Sequence, residues 1–297
     1  MGNLLFIIAL ASPVIMILGI AIKFYRISKM PLNLRWEIYP LPHEAEEKRK
    51  YGGSYMEEVD WQDKKPERYF MGEIIEPLKE IFYLHRVKKF NPYGIWIWSL
   101  ALHWGIWLLF LWMGILLING VFNWEIASKL DFVAYLSYIL GILGILGLII
   151  KRVSTHDLKI YTSGIDYFNL LFLLILFTSG LFAIMKDNGT DQFLAYLNGV
   201  LNGGVPVHEL STITIVHFVI FELFLIYIPV SRFFHGPVKY STFHSILWND
   251  MYQIKSSTEE KKISEQLNYK VEWSGPHILS HQTWLENAQN TNLHEKI

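Results

Sequence analysis

Two histidines in the last apolar stretch of the chain, His217 and His235, stand 18 residues apart, with Pro229, Ser231 and Arg232 between them. That interval is about five turns of an α-helix, so on one continuous helix both imidazoles leave the same face, about 27 Å apart along the axis. An earlier apolar stretch carries His103, and Met113 follows it ten residues later, about 15 Å further along a helix. Imidazole nitrogens and thioether sulfurs both ligate iron, and an imidazole in hydrocarbon is expensive unless it is ligated or hydrogen-bonded. These residue types at these spacings suit metal ligation from facing membrane helices, with one site toward each side of the bilayer. A b-type haem is the group such a pattern holds.

Ligands of this kind need spanning helices to position them. The 297 residues are 52% hydrophobic and 15% aromatic, which points to a membrane protein. Five stretches are long enough to cross: 4–22, 90–124, 132–150, 167–185 and 211–232, the last interrupted by Glu222. The expected fold is therefore an all-α, five-transmembrane-helix bundle. Its first span (4–22) is followed by a docking segment (23–89), a four-helix haem-binding domain (92–240) and a tail (241–297). Span 4–22 is expected to persist as a membrane helix, because no basic residue precedes it and Lys23, Arg26 and Lys29 follow it.

Charge sets the expected orientation. Of the 26 Lys and Arg residues, 24 fall in 23–89, in 151–159 or from Arg232 onward, and the two remaining connections carry only Lys129 and Lys186. The positive-inside rule then puts the N-terminus outside, the segments 23–89 and 241–297 in the cytoplasm, and the whole in the cytoplasmic (inner) membrane as a multi-pass protein. His103 and His235 then share the inner depth, while His217 lies near the outer leaflet with Met113 as its candidate partner. About 27 Å on one helix must be met by about 15 Å on the other. Helix tilt, haem inclination and a kink at Pro229 are the ways to absorb the difference.

The chain has no cysteine, so it holds no ordinary iron–sulfur cluster, and electrons that leave it must pass to a partner. A net charge of −1 gives no reason to invoke nucleic acid. Within 23–89, residues 73–89 read as an amphipathic helix at the membrane surface, with Ile74, Ile75, Leu78, Ile81 and Phe82 on one face. The density of Trp, Tyr and Pro before it favours a docking surface. In the tail, Trp273 and Trp284 sit in a weakly hydrophobic context, as in a segment that attaches to another subunit.

The interval from His217 to His235, with Pro229, Ser231 and Arg232 before the second histidine, resembles the last helix of the respiratory nitrate reductase gamma subunit family. The string His103, Gly105, Ile106, Leu108 and Phe110, with Gly114 after Met113, is similar to that family's second helix. The resemblance covers the five spans, about half the chain, and not the segment 23–89 or the tail. It implies two stacked b haems in a membrane cytochrome b, with quinol oxidised near the outer haem and electrons passed inward to an iron–sulfur partner. By it, His103 and His235 ligate the inner haem and His217 the outer one. Met113 stands where the family has a second outer histidine, which leaves three outcomes for the outer site: His/Met ligation, another ligand, or no haem. The long additions are more like relatives that serve heterodisulfide-reductase-like subunits in anaerobic respiration.

Supporting roles fall to fewer residues. Arg232, Lys151 and Arg152 cluster at the inner face, where haem propionates need cationic donors or where positive-inside anchoring alone explains them. Glu222 can relay quinol protons or be a neutral core residue, and His208 and Lys129 lie beside the expected quinol pocket. Gly141, Gly144 and Gly147 form a small-residue face for close helix packing. The expected function is a haem b subunit, with one or two haems, of a respiratory oxidoreductase complex. It moves electrons between (mena)quinol outside and a cytoplasmic iron–sulfur subunit, heterodisulfide-reductase-like or nitrate-reductase-beta-like. The same parts run in reverse make a quinone reductase, and a haem-free membrane anchor is the third reading.

Overall fold

The chain runs as α1 (Gly2–Ser28), α2 (Phe70–Tyr83), α3 (His85–Phe90), α4 (Trp96–Phe122), α5 (Phe132–Ser154), α6 (His156–Tyr161), α7 (Gly164–Ile184), α8 (Gly189–Leu201), α9 (Thr212–Tyr227), α10 (His235–Phe243), α11 (Thr258–Leu267) and α12 (Trp284–Gln289). This is a computed structural model, and it describes residues 2–30, 59–60, 63, 69–186, 188–243 and 256–290. Five helices are long and apolar enough to cross a membrane: Gly2–Ser28, Trp96–Phe122, Phe132–Ser154, Gly164–Ile184 and Thr212–Val230. The protein is thus an all-helical, multi-pass membrane protein. Large apolar side chains stay exposed along these helices, among them Leu10, Ile17, Leu111, Leu143 and Leu171, as a hydrocarbon solvent requires.

Two units divide the chain, Met1–Ala21 with Pro77–Phe234, and Ile22–Glu76 with His235–Ile297. In the first unit α4 packs along α5, α5 along α7, and α7 along α9. Without a hydrophobic driving force between helices in lipid, close approach comes from small residues. A Cβ at Gly105 would lie 2.6 Å from the Gly141 nitrogen, and one at Gly144 would lie 2.4 Å from the Leu102 nitrogen, so the α4 and α5 backbones touch. Gly147 admits the Trp98 indole and Gly141 the Phe177 ring. The small-residue face expected on the third span is therefore a packing seam, and Ser137 locks it by donating to the Gly105 carbonyl at 2.8 Å.

Helix ends meet at both poles of this unit. The Tyr135 hydroxyl, at the start of α5, donates to the Ile184 carbonyl at the end of α7. At this pole lies α8, where the sequence alone suggests only a connection. Its Phe193, Tyr196 and Leu197 are buried, and Gln192 accepts hydrogen bonds from the Ser211 N–H and the Thr214 hydroxyl at the start of α9. At the other pole the Tyr167 hydroxyl, early in α7, reaches the Arg152 carbonyl near the end of α5.

Two expected helices are broken. Residues 73–89 do not form one helix: Leu84, buried and at φ 49°, separates α2 from α3. The cause is the Glu80 carboxylate, which accepts the Arg86 N–H at 3.0 Å and caps the new helix at its start. The Trp104 and Trp96 indoles donate to the Phe82 and Tyr83 carbonyls at 3.1 and 2.8 Å, satisfying acceptors that a helix end leaves open.

The last span is broken as well. Regular helix ends at Tyr227, Ile228–Val230 is a 3-10 turn, Ser231 is extended at ψ −179°, and Arg232–Phe234 is a second 3-10 turn before α10 opens at His235. The expectation that His217 and His235 leave one face of a continuous helix is therefore corrected. Pro229 cannot donate its i−4 hydrogen bond, and an extended Ser231 resets the rotational phase.

In the second unit the Lys262 ammonium donates to the Ser28 carbonyl at 2.8 Å. Residues 269–290 fold on themselves: Val271 and Asn287 are buried, and Asn287 both accepts from and donates to the Leu279 backbone at 2.7 and 3.1 Å. Trp273 and Trp284, read as docking aromatics, meet edge to face with ring centres 6.3 Å apart. Most of the expected docking segment before α2, and residues 244–255, lie outside the described residues.

Candidate functional site

Three other helices converge on His217 of α9, which is 1% exposed. Tyr138 of α5 holds its hydroxyl 3.2 Å from Nε2, and Ser179 of α7 holds its own 3.2 Å from Nδ1. Ser179 also donates to the Leu176 carbonyl at 3.0 Å. The Leu176 carbonyl is also a hydrogen-bond partner of His217 itself. In either tautomer both ring nitrogens therefore have a hydroxyl partner. Phe193 of α8 stacks on the imidazole at 5.5 Å and 16°, and Tyr138 meets it edge-on at 5.6 Å. Gly180 makes the room, since a Cβ there would lie 2.3 Å from the Tyr138 ring and 2.7 Å from His217 Cε1.

One turn onward, Glu222 is 3% exposed in the middle of α9. Tyr196 of α8 donates its hydroxyl to Oε1, and Oε2 has no partner among the described residues. Tyr196 stacks flat on Phe218, the neighbour of His217, at 3.7 Å. Burial, and then the Glu222 bond and charge, push the Tyr196 phenol above its ordinary range, so it remains a donor. Tyr138, Ser179, Phe193 and Tyr196 were all missed by the sequence reading. The available signal was the presence of hydroxyls inside apolar spans and the spacing of Phe193, Tyr196 and Val200 along an unassigned amphipathic helix.

The other candidates fall into separate settings. His103 is half-buried on α4, with Nδ1 2.7 Å from the Ser99 carbonyl. A carbonyl only accepts, so Nδ1 carries a hydrogen and is held in place by it. Met113 is half-buried against the core on the same helix. His235 belongs to the second unit, where it is exposed. His208 is exposed beside its neighbour Glu209 at 3.4 Å, and Lys129 is exposed in the α4–α5 connection, so neither joins Glu222 in a common cluster. Arg232 pairs with Asp166, whose carboxylate also accepts from the Ser163 backbone at 2.9 Å and closes a capping box on α7. Arg152 donates to the Thr162 hydroxyl at 3.2 Å, and Lys151 lies against Gly94.

These settings differ in how they fit a haem. An axial histidine offers the lone pair of one nitrogen to iron while the other N–H is held by an acceptor. The Nδ1 of His103 is held in that way by the Ser99 carbonyl. The packing at His217 does not fit a haem on that ring, because both nitrogens already face buried hydroxyls and the ring is covered by protein. Comparisons of the chain with family models, with curated proteins and with solved structures find no match.

Proposed function

We propose that the protein is the haem b membrane subunit of a respiratory oxidoreductase complex. It oxidises a quinol, menaquinol in the favoured reading, at the outer side of the cytoplasmic membrane. Electrons pass inward to an iron–sulfur subunit on the cytoplasmic face. The observation that carries this reading is His103: an imidazole inside a spanning helix, with Nδ1 fixed by the Ser99 carbonyl at 2.7 Å. His235 is proposed as the second axial imidazole on the strength of its motif and of the charge distribution along the chain. Bound between two imidazoles, a haem would supply one-electron redox chemistry at a potential set by those ligands.

The chain's own residues do the rest. Oxidation of a quinol to a quinone releases two electrons and two protons. Glu222, held on Oε1 by Tyr196 and with Oε2 unpartnered among the described residues, supplies a carboxylate oxygen that can take a quinol hydroxyl proton and pass it outward. His208 and Lys129, exposed at the pole that the charge rule puts outside, are the residues from which such protons reach water. Arg232 and Lys151 hold the opposite pole, toward the partner subunit.

A reduced-minus-oxidised visible spectrum of the purified protein, with pyridine haemochrome quantitation, tests the proposal. A b-type signal that His103→Ala abolishes in a folded protein supports it. Absence of any b-type signal in the intact complex sinks it in favour of a haem-free membrane anchor.

A further inference from the structure

We infer that His217 is not an iron ligand but the hub of a closed hydrogen-bonded cage, so that the chain carries one haem and not two. The inference takes the haem at His103 from the function proposed above, while its argument about His217 stands on the packing alone.

Three observations carry it. The first is that both ring nitrogens are engaged. Ser179 faces Nδ1 and Tyr138 faces Nε2, each hydroxyl at 3.2 Å. In either tautomer no ring nitrogen is left over for a metal.

The second is that the partner cannot easily leave. Tyr138 is fully buried, lies edge-on to Phe177 at 6.3 Å, and Phe177 itself fills the notch left by Gly141. Gly180 allows Tyr138 and His217 to close on each other, and a single methyl there would strike both.

The third is which helices face the ring. Its contacts come from α5, α7 and α8, whereas Met113 sits on α4, which packs along α5 and against α8 and supplies none of the ring's described contacts. A haem between His217 and Met113 would have to displace the Tyr138 phenol from a core with no slack, and rearranging close-packed side chains is costly.

The cage also gives a histidine at this position a role that needs no iron. With both nitrogens matched, the imidazole joins α5, α7 and α9 at one point, a polar clasp in a medium where unpaired polar groups are penalised.

The experiment has a haem arm and a haem-independent arm. In the first, haem is counted per polypeptide in the wild type and in His217→Gln, which keeps hydrogen-bonding capacity and cannot ligate iron as imidazole does. One haem per chain in both supports the inference. Two haems in the wild type, or loss of a haem in His217→Gln while His103 is intact, overturns it. A wild type without haem overturns the proposed function and leaves the second arm to decide the cage. There, Tyr138→Phe is made in the wild-type and His217→Leu backgrounds and thermal unfolding is followed in detergent. A fall in midpoint that appears only when His217 is present supports the cage. The same fall in both backgrounds overturns it.

Discussion

Tyr196 donates its hydroxyl to Oε1 of Glu222, while Oε2 of the same carboxyl has no partner among the described residues. The pair joins α8 to α9 and buries an acid whose second oxygen is uncommitted, an arrangement that serves proton transfer better than stability. Glu222→Gln keeps the shape and the hydrogen bond from Tyr196 but cannot accept a proton. Quinol oxidation should fall by about 10²-fold or more in kcat, the scale of a lost acid–base group, with KM changing little. A variant that turns over at the wild-type rate would remove Glu222 from the proton route.

Tyr196→Phe acts differently. It strips Glu222 of its donor and leaves a buried carboxyl unsatisfied, at a cost of about 1–3 kcal/mol. Thermal unfolding in detergent should show a clear fall in midpoint for Tyr196→Phe and a smaller one for Glu222→Gln. The reverse order would mean that the pair is not held as described.

Gly144 faces the α4 backbone beside His103, where an added Cβ would lie 2.4 Å from the Leu102 nitrogen. Gly144→Ala should therefore force α4 and α5 apart and cost about 1–3 kcal/mol, the usual penalty for overpacking. Because Leu102 precedes His103, the visible spectrum or midpoint potential of the proposed haem should shift along with stability. Gly114→Ala, where a Cβ meets nothing within 4 Å, is the control and should leave both unchanged.

The Asp166 and Arg232 pair separates two explanations for a basic residue in the last motif. Arg232 is more than half exposed, so its loss to Ala should cost only about 0.2–1 kcal/mol. Asp166→Ala also removes the capping box at Ser163 and should cost about 1 kcal/mol beyond that. If Arg232 serves a haem propionate, Arg232→Ala will shift the midpoint potential while Asp166→Ala shifts stability. Equal effects on both measurements would reduce Arg232 to a structural tie.

Spans were the most legible part of the chain, because a run of about 20 apolar residues has few other uses. Their boundaries moved by a few residues, as with 90–124 against Trp96–Phe122. The glycine face of α5 was also legible, since small residues at helical spacing imply close packing. What could not be read was directional. Whether His217 Nε2 faces open space or the Tyr138 hydroxyl depends on a residue 79 positions earlier in the chain. The break at Leu84 depends on a carboxylate reaching six residues ahead to an N–H, and nothing in hydrophobic periodicity registers such a bond. Helix α8 was passed over because a short amphipathic helix between long spans is easily taken for a connection.

The passage from Tyr227 to His235 bears on how the chain can vary in length. In a regular helix, inserting or deleting one residue turns everything beyond it by about 100°. Between Ile228 and Phe234 the backbone is two 3-10 turns around an extended Ser231, and such geometry can take up a residue by changing a turn. The 18-residue interval is thus a count along the sequence and not a ruler along an axis. Length changes confined to 228–234 should leave the aim of His217 untouched, whereas a single residue added within α9 before it would swing that ring out of its cage.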